Sequence, residues 1–281
     1  MNKKQITDLI SSYEKRQFNE IVKWEDAVPG VVAQSLNFVM KPVSLVVQKV
    51  IPQKAIRGAL VFSNWFAECM TDSKDIIRDG GVRNIKELGH KDLELSDRLA
   101  NEVHNWANAI ATTEGGAAGF FGIVGMVIDI PTLITLSLRT IHKIGLCYGY
   151  ECKTEADQQY IYAIMSAAGA NTIQEKAVSV TTLQAMNRTI ATMTWKKMAE
   201  KAMAKKYGLE AAIMGIKNLA KQLGINITKR KASQAIPVVG TAVGAAMNLA
   251  FINDVAWAAR RSFQERWLMD NGKIIIIGQR D

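Results

Sequence analysis

The sequence predicts an all-α fold: a multi-helix bundle around two Gly/Ala-rich apolar helical elements related by a weak internal repeat, with a short extended C-terminal tail. Three observations carry this. Aromatic and β-branched strand signals are scarce, whereas Ala, Met, Lys, Gln and Glu recur in periodic runs. Of the 281 residues 48% are apolar and only five are proline, the composition of a globular chain with ample core material. Finally, from Gly115 to Leu138 the only ionisable group is Asp129, so this stretch must be buried in a bilayer, in a helical core, or in something that exchanges the two.

Taken in order, residues 3–26 read as one amphipathic helix, with Ile6, Leu9, Ile10, Tyr13, Phe18, Ile21, Val22 and Trp24 on its apolar side and Val28-Pro29-Gly30 ending it. We read it as a lid or an arm. A second apolar helix covers 31–50, interrupted at Pro42, and a third opens at Pro52 and stops at Asp79-Gly80-Gly81, with Phe62, Trp65, Phe66 and Met70 as a core stripe. Asp92–Thr113 is a charged amphipathic helix. It delivers the chain to Gly115–Gly149, where Gly116, Gly119, Gly122 and Gly125 lay a small-residue stripe along one side. Asp129-Ile130-Pro131 reads as a helix start, with Asp129 capping and Pro131 in the first turn, so two short helices are expected to meet there. Helices follow over Glu151–Ala170 and Thr172–Met193.

Ala232–Asn253 is the second uncharged stretch, and Val255–Asp270 reads as an amphipathic helix. A shift of 119 residues sets Gly125 on Gly244 and Asp129 on Asn248. The two elements, with Gly240 and Gly244 in the second, are expected to form an antiparallel or pseudo-twofold pair in which Asp129 and Asn248 lie close. Lys273–Gly278, KIIIIG, is the one convincing strand signal, expected to cover an apolar patch or pair with another chain. The chain thus divides into an N-terminal helical extension (1–51), a helical domain (52–270) and an extended tail (271–281).

The net charge of +9 is unevenly distributed. Lys196, Lys197, Lys201, Lys205, Lys206, Lys217, Lys221, Lys229, Arg230 and Lys231 face only Glu200 and Glu210 in their segment, ten minus two giving +8, so the rest of the chain carries +1. Such a segment fits an anionic partner or a solvated helix face. Aromatics are not interleaved with these lysines, Trp195 and Tyr207 apart, so nucleic acid is not the expected partner. The first residues lack an apolar h-region, and the odd set Cys69, Cys147 and Cys152 has no framework spacing; both point to the cytosol.

No phosphate-loop, HExxH or GxSxG pattern is present, and no cofactor is expected. A zinc site from His142, Cys147 and Cys152 lacks the paired-cysteine spacing. Glu114 and Asp129 are the carboxylates that a hairpin could pair for acid–base chemistry; the competing reading is helix-end capping for both. Chemistry there requires that Glu114→Gln or Asp129→Asn abolish function without lowering stability.

Several blocks together resemble the EcsC protein family: Glu114-Gly115-Gly116-Ala117-Ala118-Gly119 through Asp129-Ile130-Pro131 to Tyr148-Gly149, and Ile236-Pro237-Val238-Val239-Gly240 through Gly244 and Asn248 to Arg260-Arg261. The resemblance spans roughly Pro52–Leu268. It implies a setting on the cytoplasmic side of a membrane near an ABC transporter, and no particular reaction. The reading that follows is a cytoplasmic, membrane-associated protein that docks on anionic lipid through Lys196–Lys231 and engages lipid through the Gly-rich pair. The alternative is a soluble interaction protein, bound to a transporter or another protein, with that pair as sealed core. Oligomeric state is left open.

Overall fold

The computed structural model describes residues 3–28, 72–120, 122–192 and 240–277. Among them the order is β1 (Lys3–Ile6), α1 (Ser12–Asp26), α2 (Lys74–Gly80), a 3-10 helix (Ile85–His90), α3 (Leu93–Phe120), α4 (Gly122–Cys147), α5 (Glu155–Ala168), α6 (Ile173–Thr192), α7 (Gly240–Asp270) and β2 (Ile274–Ile277). The fold is all-α apart from a two-stranded ribbon.

Local chemistry sets the helix ends. Ser11 and Glu14 form a capping box at α1, as Thr154 and Asp157 do at α5. Gly81, at φ 60°, takes the left-handed position that closes α2. The helix expected over 3–26 is corrected at its start. Lys3–Ile6 is a strand, paired antiparallel with β2 so that Lys4 faces Ile276 and Ile6 faces Ile274. The KIIIIG tail therefore finds its partner within the chain.

The larger correction concerns α7. Val255–Asp270 is not a separate amphipathic helix but the second half of a continuous helix from Gly240, and from Phe251 to Leu268 only Asn253, Asp254 and Trp257 are half-buried; the rest is buried. It is the axis of the bundle, packed against α1, α3, α4, α5 and α6. Gln264 meets Asp97 and Arg260 meets Asn101, so α3 runs antiparallel to α7. Arg139 and Lys143 flank Trp106, and Tyr148 meets Asp97, so α4 folds back antiparallel on α3. Hence α4 and α7 run side by side in the same direction, which rules out the antiparallel one of the two expected arrangements. Gly145 lies against Phe263, where a Cβ would come within 2.9 Å of the ring, close to the offset of the internal repeat.

A second expectation fails at Asp129-Ile130-Pro131. α4 runs unbroken from Gly122 to Cys147, so Asp129 lies inside the helix. Pro131 removes one backbone bond from that helix. Burial of Leu133, Ile134, Leu136 and Leu138 carries the helix onward past it. The register of α3 with α7 brings Gly240 level with Phe120, so both Gly-rich stretches gather at one pole of the bundle.

Candidate functional site

The opposite half of the bundle holds a polar seam that α7 carries into the core. Every polar group buried there must find a partner or cost free energy, which makes the pairing informative. At its centre is Asp97 of α3, which accepts hydrogen bonds from Tyr13 Oη at 2.7 Å, Tyr148 Oη at 2.5 Å and Gln264 Nε2 at 2.5 Å. Burial, reinforced by the Asp97 charge, holds both phenols in their neutral donor form. Gln264 in turn accepts from Arg261, whose Nη1 also donates to Gln17 of α1. Three helices and the turn after α4 are thereby tied to one carboxylate.

Beside it lies a charged triad. Lys4 Nζ is 2.6 Å from Glu25 and 2.7 Å from Glu265, with side chains only 5%, 3% and 4% exposed, respectively. Gln184 of α6 donates to Glu25. Burial opposes the Lys4 charge, but Glu265 and Glu25 outweigh it and raise its pKa. Two carboxylates share one ammonium, so burial, with repulsion from Glu25, pushes the Glu265 pKa up. Further along α7, Arg266 pairs with Asp157 at 3.0 Å and stacks over Tyr150 and Tyr160. In the other direction His104 Nε2 meets Asn253 Oδ1 at 3.0 Å, edge-on to Trp257. On the far side of α1, buried Lys176 of α6 bonds the carbonyls of Trp24 and Ala27, closing that helix's C-terminal end.

His142 is buried on α4, and burial lowers its pKa to about 4, so it is neutral in the fold. A base with a depressed pKa contributes stability that is present above its ordinary value near 6.5 and lost as pH falls through the folded value. His142→Gln is expected to remove up to about 3 kcal/mol of acid sensitivity between these limits, read as Tm against pH for variant and wild type. Parallel curves for the two proteins would refute it.

Of the residues singled out in the sequence, Lys196, Lys197, Lys201, Lys205, Lys206, Lys229, Arg230 and Lys231 lie outside the described residues, as do the helix over 31–50 and the stripe Phe62–Met70. Gly116, Gly119, Gly122, Gly125, Glu114, Asp129 and Pro131 lie on α3 and α4, and Gly240, Gly244 and Asn248 on α7. The side chains from 114 to 131 are outside the description, so the closeness of Asp129 to Asn248 is too; Asn248 itself is buried. Cys147 and Cys152 are both buried. Among the described residues no three His, Cys, Asp or Glu side chains come together as a metal set. None of their helices is long and apolar enough to cross a membrane.

The blocks that carry the family resemblance acquire physical roles here. Tyr148 is a ligand of Asp97, Gly149 packs backbone to backbone on Gly89, and Arg260 and Arg261 occupy the seam. The EcsC protein family model matches residues 15–268. The chain belongs to the EcsC protein family. A relative from Bacillus subtilis (strain 168), the uncharacterized protein YdbA, is 22% identical over 279 residues, covering 92% of this chain and 94% of YdbA. No solved structure matches the chain. The EcsC match begins within α1, N-terminal to the Pro52–Leu268 span of the resemblance, and takes in most of the polar seam. Sequence reasoning missed Lys4, Glu25, Asp97 and Glu265, whose partners are far away along the chain. The available signal was six polar residues among the seven of Arg260–Arg266, in a helix whose other faces are also apolar-rich.

Proposed function

We propose that this EcsC protein is a peripheral protein of the cytoplasmic membrane face, docking on anionic phospholipid through Lys196–Lys231 and offering its Gly-rich pole to lipid. The observation that carries the reading is that the end of α3 and the starts of α4 and α7, described parts of both uncharged stretches, gather at one end of the bundle, away from the polar seam. The end of α3 and the start of α4 there carry Phe120, Ile123, Val124, Met126, Val127 and Ile128, and the sequence has no charge from Gly115 to Ile128. Charge distribution supports it: +8 of the net +9 falls in one segment. Each basic residue near an anionic surface contributes about 1 kcal/mol, enough in number for reversible docking.

Flotation with liposomes tests it. Recovery is expected with anionic vesicles, to fall several-fold when Lys205, Lys206, Arg230 and Lys231 are replaced by Gln, and to fall with added salt. Equal recovery on neutral and anionic vesicles would remove the electrostatic part. Burial of Leu133, Ile134, Ile252 and Val255 favours a second reading for the inner halves of α4 and α7, in which they are sealed core and the protein binds a transporter or other protein partner. Purification without detergent as one lipid-free species favours that second reading.

A further inference from the structure

Among the described residues, two adjacent guanidiniums on the central helix have no carboxylate within ion-pair distance, although the charges of Asp97 and Glu20 reach Arg261. Arg260 and Arg261 are each only 8% exposed, and both lie over the ring of Trp257, at 4.5 and 4.9 Å from its centre. Their hydrogen-bond acceptors are all neutral: Asn101 for Arg260, Gln17 and Gln264 for Arg261. Arg260 Nε is buried without a hydrogen-bond partner. Among the described residues neither arginine has a carboxylate within ion-pair distance, whereas Arg266, one turn on, has Asp157 at 3.0 Å. Asp97 is the nearest buried acid in the seam, but Gln264 stands between it and Arg261, while Glu20 is exposed and Asp254 acts on Lys176. Burial, reinforced by Arg260, lowers the Arg261 pKa. Buried cations are ordinarily paired, so this pair is short of an anion.

The place is also where the central helix meets solvent. Asn253, Asp254 and Trp257 are the half-buried positions in an otherwise buried run from Phe251 to Leu268, and they lie one to two turns from the arginines. Stacking on one indole fixes the two planar forks, which lowers the cost of ordering them around a ligand. Their free N–H groups offer the geometry that phosphate oxygens accept, and two positive charges match a dianion.

We propose that Arg260 and Arg261, backed by Trp257, bind a phosphate-type dianion, free or as a phosphomonoester. The site lies on described residues, apart from Lys196–Lys231, and does not depend on the membrane-docking reading. A soluble phosphomonoester and the headgroup of phosphatidic acid share this chemistry.

Calorimetric titration of the full chain with inorganic phosphate, in chloride at matched ionic strength and without lipid, is the test. One phosphate is expected to bind per chain and to raise Tm. Arg260→Gln, and Arg260→Lys as the better-folding variant that keeps the charge but not the fork, are each expected to weaken binding about tenfold or more. Absence of phosphate binding to the wild type, or equal binding by both variants, overturns the site. A second arm adds phosphatidylcholine vesicles with and without phosphatidic acid. Displacement of phosphate by the phosphatidic acid vesicles alone assigns the site to a lipid headgroup, and undisturbed phosphate binding assigns it to a soluble phosphomonoester. Loss of flotation with intact phosphate binding would sink the docking reading and leave this one standing.

Discussion

Lys4→Met is expected to lower the stability of the fold by about 3–5 kcal/mol, because it leaves Glu25 and Glu265 buried together without their shared ammonium. For a chain of this size that is a Tm lower by about 10 °C at neutral pH. Glu265→Gln is expected to act in the opposite direction. It reduces two carboxylates to one, leaving a one-to-one pair, and should raise stability by about 1 kcal/mol. The pH dependence separates this from a packing effect. Glu265 has a folded pKa raised above its unfolded value, so its contribution is fully present below the ordinary glutamate range and is lost as pH rises through the raised value. The advantage of Glu265→Gln over the wild type should therefore be largest at neutral pH and shrink on acidification. Thermal melts of the three proteins across pH decide it. Lys4→Met as stable as the wild type would mean that the triad does not form.

Gly149→Ala carries the second large effect, about 4 kcal/mol. Gly149 has φ 90°, which an L residue rarely adopts, and a Cβ there would lie 2.3 Å from Gly89 N and 2.7 Å from Gly89 Cα. The neighbour is backbone and cannot rotate away. Nor can the 3-10 helix shift freely, since Asn271 holds the Gly89 carbonyl at 2.9 Å, Trp267 the Leu88 carbonyl, and Leu88 is fully buried. Gly272→Ala is the control. Gly272 has φ 67° but nothing within 4 Å of a built Cβ, so only the conformational cost of about 1–2 kcal/mol is expected. Equal losses for the two variants would remove the steric argument.

Elements whose partners are near in sequence, or whose apolar face is unmistakable, were legible. The helices expected over Asp92–Thr113, Glu151–Ala170 and Thr172–Met193 are found at Leu93–Phe120, Glu155–Ala168 and Ile173–Thr192, and the stop at Gly81 and the strand within Lys273–Gly278 are found too, because capping, periodicity and β-branching are local signals. Lys3–Ile6 read as helix because its partner strand lies at the other end of the chain. Arg260, Arg261, Gln264, Glu265 and Arg266 read only as part of an amphipathic helix over Val255–Asp270; here α1, α3, α5 and β1 bring Gln17, Asn101, Asp97, Asp157 and Lys4 to meet them. Asp129-Ile130-Pro131 read as a helix start because proline usually ends or opens a helix, and the packing that overrides it lies downstream. The seam was hidden because, the Arg261–Gln264 contact apart, its pairs join residues of different elements, such as Asp97 with Gln264 and Lys4 with Glu265.

The position of α7 in the chain has a consequence for biogenesis. The helix on which α1, α3, α4, α5 and α6 all pack is synthesised after each of them, and the strand that follows it pairs with β1. A ribosome that has not yet reached Gly240 displays the inner faces of five earlier helices, among them Phe18, Leu99, Ile134 and Ile161, with their central partner missing. Helix hairpins such as α3–α4 and α5–α6 can assemble early, since their contacts are local. Closure of the bundle is left to long-range contacts that wait until α7 has emerged, and until then the apolar faces of the earlier helices stay open to solvent.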